Sequence, residues 1–135
     1  MTQINLVDPE ELTDQHLIAE YREIRLLCSN LQRTLKSKHG FQEKKVPEKF
    51  TLNKGHCYFF YNKGGYIHNR YDQLRIEMRR RGFEPKHKFP IEKWPGELYG
   101  YWRPTEEDKN VVRERIAQRI SERPGWYKKN GELID

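Results

Sequence analysis

Leu17, Tyr21, Ile24, Cys28, Leu31 and Leu35 recur at alternating spacings of four and three residues. Such a run forms one apolar stripe on a helix and has no counterpart on a strand, where faces alternate every second residue. It therefore commits the first third of the chain to a long amphipathic helix with one face buried. Asp8-Pro9-Glu10-Glu11 supplies one start signal, with Asp8 as cap and Pro9 in the first turn. Thr13 or Asp14 supplies a second, and the helix is expected to fray before Gly40.

Two further helices follow by the same logic. The spacing of Ile67, Tyr71, Leu74 and Met78 predicts a helix from about Tyr66 to Arg81, with Arg79-Arg80-Arg81 at its negative end and Gly82 as its stop. A third begins after Pro104. Thr105 caps it, Glu106, Glu107 and Asp108 occupy its first turn, and Val112, Ile116 and Ile120 line its buried face until Pro124 ends it. Residues 38–56 and 82–104 are rich in Gly, Pro and Lys and read as long ordered loops. Cys57-Tyr58-Phe59-Phe60-Tyr61 is short and apolar, with no pairing partner for a strand, so a buried extended or irregular stretch is expected. The reading is all-α: one compact domain over residues 1–135, with three main helices.

The 13% aromatic content, from eight Tyr, six Phe and three Trp, separates this chain from disordered polymers of similar charge. Its net charge of +6 is unevenly placed. Residues 1–24 carry six acidic side chains against one basic, Arg22, so the remaining residues hold 25 basic against 14 acidic. A basic body calls for a polyanionic partner, nucleic acid above all. Cys28 and Cys57 form no CxxC or Cys/His pair at zinc-ligand spacing, so reduced thiols and a cytoplasmic setting are expected. No apolar run approaches the ~20 residues of a membrane span. A monomer with no membrane partner, metal or cofactor is the expectation.

Four groups of residues could carry chemistry. Initiator Met is usually removed before a residue as small as Thr2, which leaves a free α-amine. That amine has an ordinary pKa of about 7.7–8.0 against about 10.4 for lysine, so roughly a tenth of it is neutral at pH 7. Only a neutral amine is nucleophilic, and basic surroundings raise that fraction. Glu23 shares a helix face with His16 and Glu20, flanked by Arg22 and Arg25. Arg115, Arg119 and Arg123 form a ladder at i, i+4 and i+8, which either contacts phosphates or is neutralised by Glu107, Glu114 and Glu122. Trp126, Tyr127, Lys128 and Lys129 interleave aromatic and basic groups in a way that suits bases and phosphates. His68-Asn69-Arg70 lacks companion metal ligands, and Gly64, Gly65 and Gly82 do not make a phosphate loop.

Five blocks then resemble a known family. Met1-Thr2-Gln3-Ile4-Asn5-Leu6 and Leu12-Thr13-Asp14-Gln15-His16-Leu17-Ile18-Ala19-Glu20-Tyr21-Arg22-Glu23 are similar, almost residue for residue, to the opening of the pyrimidine-dimer DNA glycosylase/AP lyases. Gly55-His56 with Phe59-Phe60-Tyr61, Arg81-Gly82-Phe83 and Arg123-Pro124-Gly125-Trp126-Tyr127-Lys128 follow in the same order. The resemblance implies a three-helix fold whose N-terminal segment passes between helices. It implies that Thr2 attacks C1′ of the 5′ nucleotide of a dimer, that Glu23 stabilises the charge that develops, and that β-elimination then nicks the strand. The partner would be double-stranded DNA carrying pyrimidine dimers or abasic sites. Gln15, His16 and Arg22 match positions near the lesion, and Arg115 and Arg119 match phosphate-gripping positions. The chain departs from the pattern of a typical member at Gln3, where that member carries arginine, and at Arg25-Leu26, where it carries proline then arginine shortly after the glutamate. Both departures alter contacts around the lesion. A non-catalytic damage-binding protein on the same scaffold and a protein-binding helical module are the alternatives.

Overall fold

The computed structural model describes residues 3–134. Asp8 caps a single 3-10 turn, Pro9–Glu11, by accepting from the Glu10 N–H. Helix α1, Asp14–Ile24, starts afresh one step later, where the Thr13 hydroxyl accepts the His16 N–H. Both start signals in the sequence are therefore used, one after the other. The apolar stripe continues through α2, Leu26–Leu35, but the helix is interrupted at Arg25. There the Arg25 N–H bonds to the Glu23 carbonyl, and the Cys28 N–H to the Arg25 carbonyl. The ladder tightens locally, and the stripe survives because the backbone at Arg25 keeps right-handed helical angles.

Cys57-Tyr58-Phe59-Phe60-Tyr61 is not extended or irregular. It lies in a short helix, α3, His56–Phe60, entered through Gly55 at φ +98°. Five residues hold less than two turns, too few for a 3.6-residue period to show among consecutive aromatics. Phe59 and Phe60 are buried and meet Phe50, Tyr66 and Trp102 in a cluster of stacked and edge-on rings.

Helix α4, Gly64–Arg80, begins and ends close to expectation, with Arg81 as its C-cap and Gly82 left-handed behind it at φ +89°. Gly64 and Gly65 let its first turn lie against aromatic rings: a Cβ on Gly64 would sit 2.5 Å from the Trp94 ring. Helix α5, Glu106–Glu122, opens with a reciprocal capping box between Thr105 and Asp108. It is more peripheral than its pattern suggests. Val112 is fully buried, whereas Ile116 and Ile120 are only partly covered.

A small hairpin ends the described chain, β1 (Lys128–Lys129) paired antiparallel with β2 (Glu132–Leu133). Its turn residues, Asn130 and Gly131, both take positive φ, +54° and +83°, as a two-residue hairpin turn requires. The architecture is all-α apart from this ribbon. One core joins Leu17, Ile24 and Leu31 of the first stripe to Ile67 and Leu74 of α4. Ile4, Leu6 and Val7 of the N-terminal segment lie in the same core. None of the described helices is long and apolar enough to cross a membrane.

Candidate active site

The site is built where the N-terminal segment meets the helices. Ile4 is fully buried, and its N–H donates to Nε2 of His56 on α3 at 2.9 Å. The other ring nitrogen, Nδ1, lies 2.8 Å from the Thr51 carbonyl. A carbonyl only accepts, so Nδ1 carries the proton and Nε2 is bare. Phe50 and Phe60 approach the imidazole edge-on at 5.4 and 5.3 Å. This burial pushes the His56 pKa below its ordinary value, against the opposing pull of the Thr51 carbonyl and the Glu20 charge. Two residues after Ile4, Leu6 adopts a left-handed backbone at φ +59°, which turns the segment sharply while its side chain stays buried.

A second anchor holds the end of that turn. Arg70 of α4 donates to the Val7 carbonyl and grips both carboxylate oxygens of Glu20 on α1, at 2.7 and 3.0 Å. Both side chains of this pair are almost wholly inaccessible. Burial works against the Arg70 charge, but the Glu20 carboxylate outweighs it and the pKa is raised. Arg81 is equally enclosed and bonds Asp14 at 2.9 Å and Glu77 at 2.7 Å. Asp14 in turn accepts the N–H groups of Asn130 and Gly131 at the hairpin turn. The sequence offers Glu20 as part of a helix face and Arg79-Arg80-Arg81 as a dipole complement. The structure uses Glu20, Arg70, Asp14 and Arg81 as ties between segments more than 49 residues apart.

Thr2 lies outside the described residues, so the structure bears only on what leads up to it. Gln3 is half-buried, and its amide donates to the Asn5 side chain at 2.7 Å. Glu23 is half-buried on α1, one turn beyond Glu20. Arg22 is exposed and borders a groove of about 290 Å³ shared with Tyr21, Phe83, Lys86 and His87. The Nε of Arg25 is buried without a hydrogen-bond partner among the described residues.

Several of the remaining site residues converge at the C-terminal end. The Gln15 side chain donates to the Trp126 carbonyl and accepts the Lys128 N–H, at 2.8 and 3.0 Å. His16 stacks flat on Tyr127 at 4.9 Å, with Nδ1 2.6 Å from the Thr13 hydroxyl. Burial, helped by the Arg119 charge, lowers the His16 pKa. Trp126 is exposed, with the Arg123 guanidinium 3.8 Å above its ring. Arg115 borders a separate open groove of about 910 Å³ that also includes Lys45, Lys54, His56 and Tyr58. Among the described residues no three His, Cys, Asp or Glu side chains gather as a metal site. His68 instead approaches the Tyr99 hydroxyl at 2.8 Å and stacks on Phe89.

The sequence offers Asp14 only as a helix start and points to no role for His56 or Arg70. Gly55 was the available signal for His56, because a glycine ahead of a histidine and an aromatic run marks a helix entry that needs positive φ. For the hairpin it was Asn130-Gly131.

An all-α frame with basic and aromatic side chains along open grooves is the build of a protein that handles nucleic acid. The particular family follows from comparison with known proteins: residues 1–91 of the 135 match the family model described as pyrimidine dimer DNA glycosylase. The chain belongs to that family. DNA containing pyrimidine dimers is accordingly its partner, and removal of the damaged base its class of reaction. The match covers α1 to α4 and stops before α5 and the C-terminal aromatics.

Proposed function

We propose that this protein removes pyrimidine dimers through a covalent imine at Thr2 and then cuts the strand as an AP lyase. The α-amine of Thr2 attacks C1′ of the 5′ nucleotide of the dimer. The C1′–N bond breaks, and the base leaves with that electron pair and takes up a proton. The amine loses its protons as the sugar ring opens, leaving C1′ double-bonded to nitrogen. Loss of a proton from C2′ then expels the 3′ phosphate, and hydrolysis of the imine frees the enzyme. In this reading Glu23 stabilises the cationic centre and carries protons. Gln3, Gln15, His16, Arg22 and Arg25 surround the lesion. Arg115, Arg119, Trp126, Tyr127 and Lys128 hold the flanking phosphates and bases.

The observation that carries this reading is the burial of the segment leading to Thr2. N-terminal residues commonly fray, yet Ile4 is fully enclosed and hydrogen-bonded to a buried side chain. A nucleophile at the end of a fixed strut is oriented before substrate arrives, which removes much of the entropic barrier to attack.

The test is borohydride trapping on a duplex with one cyclobutane thymine dimer, using protein shown by mass spectrometry to begin at Thr2. The expected result is an adduct on Thr2, a nicked strand, and loss of both on Glu23→Gln. Tight, salt-sensitive binding with neither adduct nor nick would favour the non-catalytic damage-binding protein instead.

A further inference from the structure

We propose that His56 is a positioning residue for the reaction: by accepting the Ile4 N–H on Nε2, it sets where the N-terminal amine is presented to DNA. The assignment rests on Thr2 being the nucleophile.

The two hydrogen bonds of the imidazole can be satisfied together by one tautomer only, the neutral form with its proton on Nδ1. The ring is also held from both sides. Gly55 leads into it with a Cβ-free approach in which an added carbon would lie 3.0 Å from the Pro47 ring, and Phe50 and Phe60 pack on its edges. His56 is 3% exposed and Ile4 0%, so in the folded protein the imidazole, not water, is the partner of the amide.

The rest of the N-terminal segment does not depend on this bond. Arg70 secures Val7, and Leu6, Val7 and Leu12 are buried in the core. Losing the His56 acceptor therefore loosens the backbone upstream of the Leu6 turn, where the Ile4 side chain stays in the core without its amide bond, and leaves the fold downstream in place. Two residues of chain span at most about 7 Å, so a fixed Ile4 backbone shortens the reach of whatever precedes it. A displacement of about 1 Å at a reacting atom is enough for a rate loss on the order of 100-fold.

Two substitutions separate positioning from packing. His56→Leu keeps an apolar side chain of similar size and removes the acceptor. His56→Gln places an amide oxygen as many bonds from the backbone as Nε2, so it can still receive the Ile4 N–H. The full-length protein would be compared in single-turnover base release, affinity for dimer-containing duplex, mapped borohydride adducts, and hydrogen exchange of the Ile4 amide.

The expected result for His56→Leu is a rate lower by about 10- to 100-fold, affinity within about twofold of the parent, and faster exchange at Ile4. His56→Gln should recover most of the rate and the protection. A His56→Leu protein that forms the Thr2 adduct at the parental rate would overturn the positioning role alone. So would a His56→Gln protein that folds as stably as the parent yet stays as slow as His56→Leu. A parental adduct that maps away from Thr2 would overturn the nucleophile assignment, and this one with it.

Discussion

Glu20 and Arg70 provide the sharpest test of how the N-terminal segment is held. Their side chains are 0% and 2% exposed, and the guanidinium satisfies the carboxylate twice and the Val7 carbonyl once. Glu20→Leu removes the carboxylate and strands a buried cation, which costs about 3–5 kcal/mol. For a chain of 135 residues, about 3–4 °C of melting temperature goes with each kcal/mol, so a fall of roughly 10–20 °C is expected. Adding Arg70→Met removes the stranded charge. What remains unpartnered is the Val7 carbonyl, a loss of about 1–3 kcal/mol. The double variant should therefore be more stable than Glu20→Leu alone, by about 2 kcal/mol from the difference between those two ranges. Urea titrations of the parent, both single variants and the double variant form the assay, with the slope checked for constancy so that midpoints report stability. The reasoning is refuted if Glu20→Leu costs less than about 1 kcal/mol, or if the two single losses simply add.

Three further outcomes are expected. His16 and His56 both have pKa values held below the ordinary 6.5, by burial first. The unfolded chain therefore binds protons more readily, so stability is full above pH 6.5 and falls as pH drops through the folded-state values. Denaturant midpoints measured between pH 7.5 and 5 should show this, and His56→Gln should flatten the slope; an unchanged slope would mean that His56 does not stay neutral. Gly64→Ala drives a Cβ into Trp94, whose ring is buried and fixed by an indole N–H donated to the Leu98 carbonyl. A loss of about 1–3 kcal/mol is expected, and an unaltered melting temperature would show that the ring can give way. Finally, Arg115→Gln and Arg119→Gln should each reduce the steepness of the log–log salt dependence of DNA binding by about 0.9. A slope unchanged in filter-binding titrations would place that arginine away from the phosphates.

Local signals account for what the sequence by itself determined. The four-and-three spacing from Leu17 to Leu35, the caps at Thr13 and Thr105, and the stop at Gly82 define helices because each acts over a turn or two of backbone. Family membership was legible as well, in the opening block through Glu23. The break at Arg25 was not, since an interruption that keeps the same face buried leaves the apolar pattern intact. Only the tertiary structure decided the partners of the charged and polar side chains. In sequence, Glu20, Arg70, Asp14 and Arg81 look like residues of solvated faces. Enclosed in the fold, they tie α1 to α4, the N-terminal segment and the hairpin turn. The same holds for His56, which is 52 residues from the amide it accepts. Helix periodicity records which face of an element is buried. A buried charge or imidazole is defined by whatever distant group fills its last hydrogen bond, and that is settled only when the elements have packed.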